Sequence, residues 1–189
     1  MKTLCIALAF GPIYRFKDGE AKILTPLDGS IARFDALVQW LTPDPEILIT
    51  ATAGHSKKSP QVGMPKTSLA EQMARYVAID HSEWLPCLVA KPLVYGTREE
   101  IVAGIYLAIQ RGFASEEVPL TVRVASNKCH LPRCKLYLKH CLQKGWKYQL
   151  VVAHHPFTAK DRVLEKGKLL RDLWILNTRG EFPPVPGLS

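Results

Sequence analysis

The sequence predicts an α/β domain built on a mainly parallel sheet of about five strands, and three observations carry that expectation. Short apolar runs recur along the chain, amphipathic stretches of helical spacing separate them, and each run is followed by a distinct cluster of polar and turn-forming residues. Parallel neighbours need long connections, which the intervening helices supply, with right-handed crossovers. Ligands of such open sheets bind beyond the carboxyl ends of the strands, so the polar clusters are where a site is expected.

Taken in order, Thr3 to Phe10 reads as a buried first strand, closed by Gly11-Pro12, with a loop through Asp18-Gly19. Asp28-Gly29-Ser30 opens a helix that carries Ile31, Phe34, Leu37, Val38 and Leu41 at helical spacing, and Pro43 and Pro45 end it. Ile47 to Thr52 is the second strand, leaving through Ala53-Gly54-His55-Ser56. Lys57 to Lys66 has loop chemistry, a flap over a site or an ordinary surface loop. Ser68 with Glu71 forms a capping box and starts a helix through about Ile79. Leu85 to Ala90 is the third strand, with Pro86 near its start where a missing donor is tolerable.

Thr97 with Glu100 forms a second capping-box pattern, and the helix behind it buries Ile101, Ile105, Leu107 and Ala108 before Gly112. Leu120 to Ala125 is the fourth strand, with Leu120, Val122 and Val124 alternating. It runs into Ser126-Asn127-Lys128-Cys129-His130 and a helix near Leu131-Pro132, proline being suited to a first helical turn. That helix presents Leu131, Cys134, Leu138, Cys141 and Leu142 on one face and stops at Gly145. Tyr148 to Ala153 is the fifth strand, His154-His155-Pro156 follows it, and a last helix spans about Ala159 to Ile175, weakened by Gly167. Residues 1–176 thus form one domain, and 177–189 are a proline-rich tail.

The 189 residues suffice for one core that needs no disulfide scaffold. Cys5, Cys87, Cys129, Cys134 and Cys141 are odd in number and lack the two-residue pairing of zinc or redox motifs, so reduced thiols, no bound metal and a cytoplasmic chain are expected. Leu4 to Phe10 is too short for a signal peptide, and no run approaches the ~18 apolar residues of a membrane span. The formal charge is +8, yet Val122 to Arg171 holds 12 basic and two acidic residues. That asymmetry points to an anionic partner, whether phosphorylated small molecule, nucleic acid or anionic membrane, or to a solvated lysine-rich face.

The candidate site follows from the turns. His130 moves protons near neutral pH, Arg133 offers a planar fork to phosphate or carboxylate, and the amides opening their helix add to that anion preference. A histidine before a helix also serves simply to satisfy turn backbone. Glu99, spare to the Thr97–Glu100 cap, suits a general acid or base or a ribose hydroxyl, against the plainer role of a first-turn carboxylate. His130 and Glu99 are therefore the catalytic candidates. Gly11, Gly54, His55, Thr97, Ser126, Asn127 and His154 join Arg133 as ligand-binding candidates, each at the end of a strand or the start of a helix. No phosphate loop, nucleophile elbow or full dinucleotide glycine pattern occurs, and Ser56 and Ser126 lack a recognisable activating partner, which leaves catalysis open.

Over most of residues 1–157 the chain resembles the YdcF-like domain family. The pieces are Ser30 with Arg33, Gly54 after the second strand, Ser68 ahead of Met73-Ala74-Arg75-Tyr76, Thr97 with Glu99, and His130 with Arg133, in that order relative to the strands. The chain departs from the family at Leu69, Ala53 and Gly96. The resemblance implies a three-layer Rossmann-like fold, adds Arg33 and Ser68 to the ligand-binding candidates, and implies a nucleotide-like ligand such as S-adenosylmethionine. The expected function is binding of a phosphorylated or nucleotide-like small molecule at the carboxyl edge of the sheet. The alternative is a non-enzymatic module that takes nucleic acid or another acidic partner on its basic C-terminal third.

Overall fold

The computed structural model describes residues 1–10, 14–17, 20–23, 29–54, 67–94, 96–154 and 158–186, the backbone alone over 14–17 and 20–23. Five strands, β1 (Lys2–Ile6), β4 (Ile47–Ala53), β5 (Leu88–Val94), β6 (Leu120–Ser126) and β7 (Lys147–Val152), form one sheet in the order β5-β4-β1-β6-β7, parallel throughout. Strands β2 (Tyr14–Lys17) and β3 (Glu20–Ile23) pair antiparallel apart from it. The sequence reads this stretch as loop. Asp18-Gly19, which lie between the two strands, are residues of the type that turns hairpins.

Period-two alternation sorts β1 between two cores. Leu4, Ile6 and Leu8 face one cluster, with Ile101, Val122, Val124 and Leu138, while Cys5 and Ala7 face the other, with Phe34, Leu37, Ile49 and Val77. Helices α1 (Gly29–Val38) and α2 (Leu69–Asp80) supply the second cluster, and α3 (Thr97–Gln110) and α4 (Leu131–Cys141) the first. The result is the expected three-layer α/β/α sandwich. Each fully buried Leu, Ile or Phe contributes about 1.5–3 kcal/mol. At Gly104 a Cβ would stand 2.7 Å from Thr50 Oγ1 and 3.2 Å from Ile6, so glycine there lets α3 lie close on the sheet.

One of the buried cations sits at a helix end. Arg123 on β6 donates to the Leu37 and Gln39 carbonyls at 2.7 and 2.9 Å and to Gln149 at 2.7 Å, satisfying carbonyls that the end of α1 leaves open.

Several expected boundaries move. β1 ends at Ile6, not Phe10, and Ser82–Cys87, with Pro86 inside it, is a 3-10 turn, so the third sheet strand begins at Leu88. That strand is an edge strand, and its Pro92 falls where the register against β4 shifts between Ala51 and Ala53, edges and bulges being where a proline is tolerated. α5 (Ala159–Arg179) runs past Ile175 to a left-handed Gly180. Its N-terminus is a capping box of Thr158 and Asp161. The stretch 57–66 lies outside the described residues, as do Gly11 and His55. All five cysteines are free thiols, and no helix among the described residues is long and apolar enough to cross a membrane.

Candidate functional site

Parallel strands bring the turns after β1, β4, β5, β6 and β7 to a common rim. The turn after β6 is built by Asn127, whose side-chain oxygen accepts the His130 N–H at 2.9 Å and whose carbonyl accepts those of His130 and Leu131. With Pro132 lacking a donor and Arg133 N–H bonded to the His130 carbonyl, the first amides of α4 are spent within the chain. The expected anion site on that helix end is therefore filled by its own turn.

The turn aims the His130 ring inward, where it is 4% exposed. Nδ1 lies 2.7 Å from the Ser126 hydroxyl and Nε2 3.0 Å from the Thr97 hydroxyl at the start of α3, with Glu165 Oε2 3.8 Å from Nε2. A neutral imidazole accepts from one hydroxyl and donates to the other, so moving one proton along Ser126–His130–Thr97 reverses both bonds. Ser126 is fully buried, which removes it as a nucleophile, while Thr97 is half-buried. Cys134 Sγ sits 3.7 Å from Nδ1, but burial pushes its thiol up to about 12, so it stays protonated at neutral pH.

Arg133, expected to offer its fork to a ligand, spends it inside the protein. Nη1 donates to Glu165 at 2.9 Å, Nε to Asp172 at 3.1 Å and Nη2 to the Tyr137 hydroxyl at 2.7 Å, while Tyr137 in turn donates to Asp172. Burial works to raise both carboxyls. For Glu165 the bonds from Lys168 and Arg133 outweigh it, and for Asp172 those from Tyr137, Arg171 and Arg133, so both stay below their ordinary range. These two carboxylates are the only residues that α5 buries. The helix is fastened to the body by charge.

Beside this clamp lies a cavity of about 470 Å³, walled by the first turn of α3, by Arg133 and Tyr137, by Lys168, Arg171 and Asp172 of α5, and by Phe182 and Pro183 of the tail. Four of its wall residues, Arg98, Arg133, Lys168 and Arg171, are cationic, against Glu99 and Asp172. Arg98 donates to the Pro183 carbonyl and stacks on Phe182, tying the tail to the rim.

The first turn of α3 corrects an expectation. The N-cap is Gly96, at φ 133°, without a side-chain cap, so Thr97 and Glu100 fall one position late for a capping box. Thr97 turns to His130 instead, and Glu99 folds back until its Oε2 is 2.5 Å from where a Cβ on Gly96 would stand. Glu99 is thereby held at the positive end of α3, on the cavity wall and two residues from Thr97. Gly96→Ala is expected to cost about 1–3 kcal/mol, from a disfavoured φ together with a displaced Glu99, read as a lower urea midpoint.

Glu100, unnoticed in the sequence as more than a capping residue, is 5% exposed and accepts the Ala9 N–H at 2.8 Å. Burial pushes its carboxyl up to about 8 against the pull of that bond and of Arg33, with Glu99 adding to the rise. Arg33 is as deeply buried, donates to the Ala9 carbonyl at 3.2 Å and lies over the Phe10 ring, while its Nε has no partner among the described residues. Burial lowers its pKa against the pull of Cys134, Glu100 and Glu165.

The remaining candidates divide. Gly54 N–H donates to Val94 and its carbonyl accepts from Leu69, so both backbone groups are engaged within the chain. Ser68, fully buried, exchanges hydrogen bonds with Glu71 as the expected capping box. His154 is exposed at the end of β7. Among the described residues no three of His, Cys, Asp and Glu cluster as a metal site. Sequence reasoning missed Tyr137, Glu165 and Asp172, and only Tyr137, one helical turn from Arg133, had a local signal.

Comparison with known protein families, curated proteins and solved structures finds no match for this chain.

Proposed function

We propose that the chain binds a phosphorylated or nucleotide-like small molecule in the cavity at the carboxyl edge of the sheet, its anionic group over the first turn of α3. One observation carries this reading: the Thr97 hydroxyl, on the wall of a cavity bearing four cationic side chains, is bonded to a buried histidine. A helix start with no side-chain cap favours an anion there, and Arg98, Lys168 and Arg171 add charge of the same sign. With the His130 proton on Nε2 donated to the Thr97 oxygen, Thr97 is left to donate its own proton to the ligand, and Glu99 is placed for a ribose hydroxyl. The YdcF-like resemblance, which includes Thr97, Glu99 and His130, supports the same rim. S-adenosylmethionine fits less well than a phosphate ester, because its sulfonium would face the wall cations.

Calorimetry and thermal shift with nucleotides, sugar phosphates, S-adenosylmethionine and inorganic phosphate test this. A ligand present at a hundred times its Kd should stabilise the chain by about 2.7 kcal/mol, raising Tm by roughly 5–10 °C. Thr97→Val should weaken the ligand at least about tenfold, the scale of a lost hydrogen bond to a charged group. Arg98→Ala with Arg171→Ala should weaken it further. If no member of the panel shifts Tm at millimolar concentration, or the variants bind as the parent does, the reading falls.

A further inference from the structure

The far side of α5 carries a feature independent of the cavity. Val163, Leu170 and Trp174 are 70, 68 and 62% exposed, and Leu164 and Leu173 are nearly half so. At about 100° per residue, Val163, Leu170 and Trp174 fall on one line along the helix, with Gly167 between them adding no bulk. Lys160 flanks the line on one side, Arg162 and Lys166 on the other. Of the acidic residues of α5, Glu165 and Asp172 are turned inward to Arg133, and Asp161 alone, in the capping box at the first turn, stays beside Lys160.

We infer that α5 is a docking helix for an anionic phospholipid surface, lying in the interface with Val163, Leu170 and Trp174 inserted and its flanking cations on lipid headgroups. The chemistry selects this occupant. An apolar line rimmed on both sides by Lys and Arg, with a tryptophan toward one end, matches a bilayer interface, where hydrocarbon and negative charge are met together. A second copy would satisfy the apolar line but would set one row of cations against another. Nucleic acid would satisfy the cations and leave Leu170 and Trp174 in water. The charges of α5 also forbid insertion across the bilayer, so the helix lies on the membrane.

The test is flotation of the full chain with vesicles of phosphatidylcholine alone and of phosphatidylcholine containing about one part in three phosphatidylserine. Binding is expected to the second only, with a blue shift of tryptophan fluorescence that Trp174→Phe removes. Leu170→Glu with Trp174→Glu should lower binding by more than about tenfold, and each of Lys160→Ala, Arg162→Ala and Lys166→Ala by about fivefold. All these positions are exposed, and an unchanged circular dichroism spectrum shows that the fold persists. Three results would overturn the inference. One is no binding to phosphatidylserine vesicles. Another is salt-sensitive binding of DNA or RNA together with vesicle binding that survives the Leu170/Trp174 change, which would mark a merely basic face. The last is a dimer in sedimentation that the Leu170/Trp174 change dissolves, which would make the line a contact between copies.

Discussion

Replacing Arg133 by methionine is expected to destabilise the folded chain by about 3–5 kcal/mol, the cost of leaving buried carboxylates without their cation. Methionine keeps the volume and the unbranched stem, so the loss comes from Glu165 and Asp172, whose side chains are 8 and 3% exposed and whose remaining cationic partners, Lys168 and Arg171, reach in from solvent. Urea denaturation followed by circular dichroism measures the loss. Adding Glu165→Gln and Asp172→Asn to the Arg133→Met chain should return most of it, because neutral amides need no countercharge. The pH dependence has a definite sign. Both carboxyls are held below their ordinary values in the fold, so their contribution is complete above the unfolded values and is lost as acid carries the pH down through the folded ones. In Arg133→Met the share of that depression due to Arg133 is lost, while Lys168, Tyr137 and Arg171 keep theirs, and the gap from the parent should narrow on acidification. An unchanged urea midpoint for Arg133→Met would mean that the clamp is not what holds α5.

Glu100 gives the opposite slope. Its folded value, raised from 4.5 to about 8, lies above its unfolded value, so the folded chain holds a proton that the unfolded chain has released. Stability from this group is complete below the unfolded value and declines as the pH rises through the folded one, by about 1.4 kcal/mol per unit within the window. Across the whole window the decline is on the order of 4–5 kcal/mol. Glu100→Gln, which still presents an oxygen to the Ala9 N–H, should abolish most of the slope and unfold at higher urea than the parent at pH 8. Urea midpoints at half-unit steps from about pH 5 to 8.5 are the measurement. Parallel curves for the two chains would show that Glu100 does not retain its proton.

What was legible in the sequence was what neighbours along the chain decide. The alternation of apolar runs with helical stretches gave the parallel sheet, because period and connection length are local. Ser68 and Glu71 gave a capping box that the structure contains, and Ser126 and His130, four apart, meet at the helix start. The same local pattern misled at Thr97 and Glu100. Moving the N-cap by one residue to Gly96 turns both side chains by about 100°, sending Thr97 to His130 and Glu100 toward Ala9. Arg133 was legible as a residue of the rim but not as the anchor of α5, since its carboxylates lie 32 and 39 positions later and no spacing rule links them. The third strand was placed three residues early because an apolar run spanning Pro86 reads alike as a 3-10 turn or as extended chain.

The two borders of the sheet are unequal. β5 carries Pro92 and an irregular pairing with β4; β7 carries no proline. Of the two borders of this sheet, β5 is therefore the one blunted against a visiting strand, and β7 the one whose described residues all keep a backbone donor.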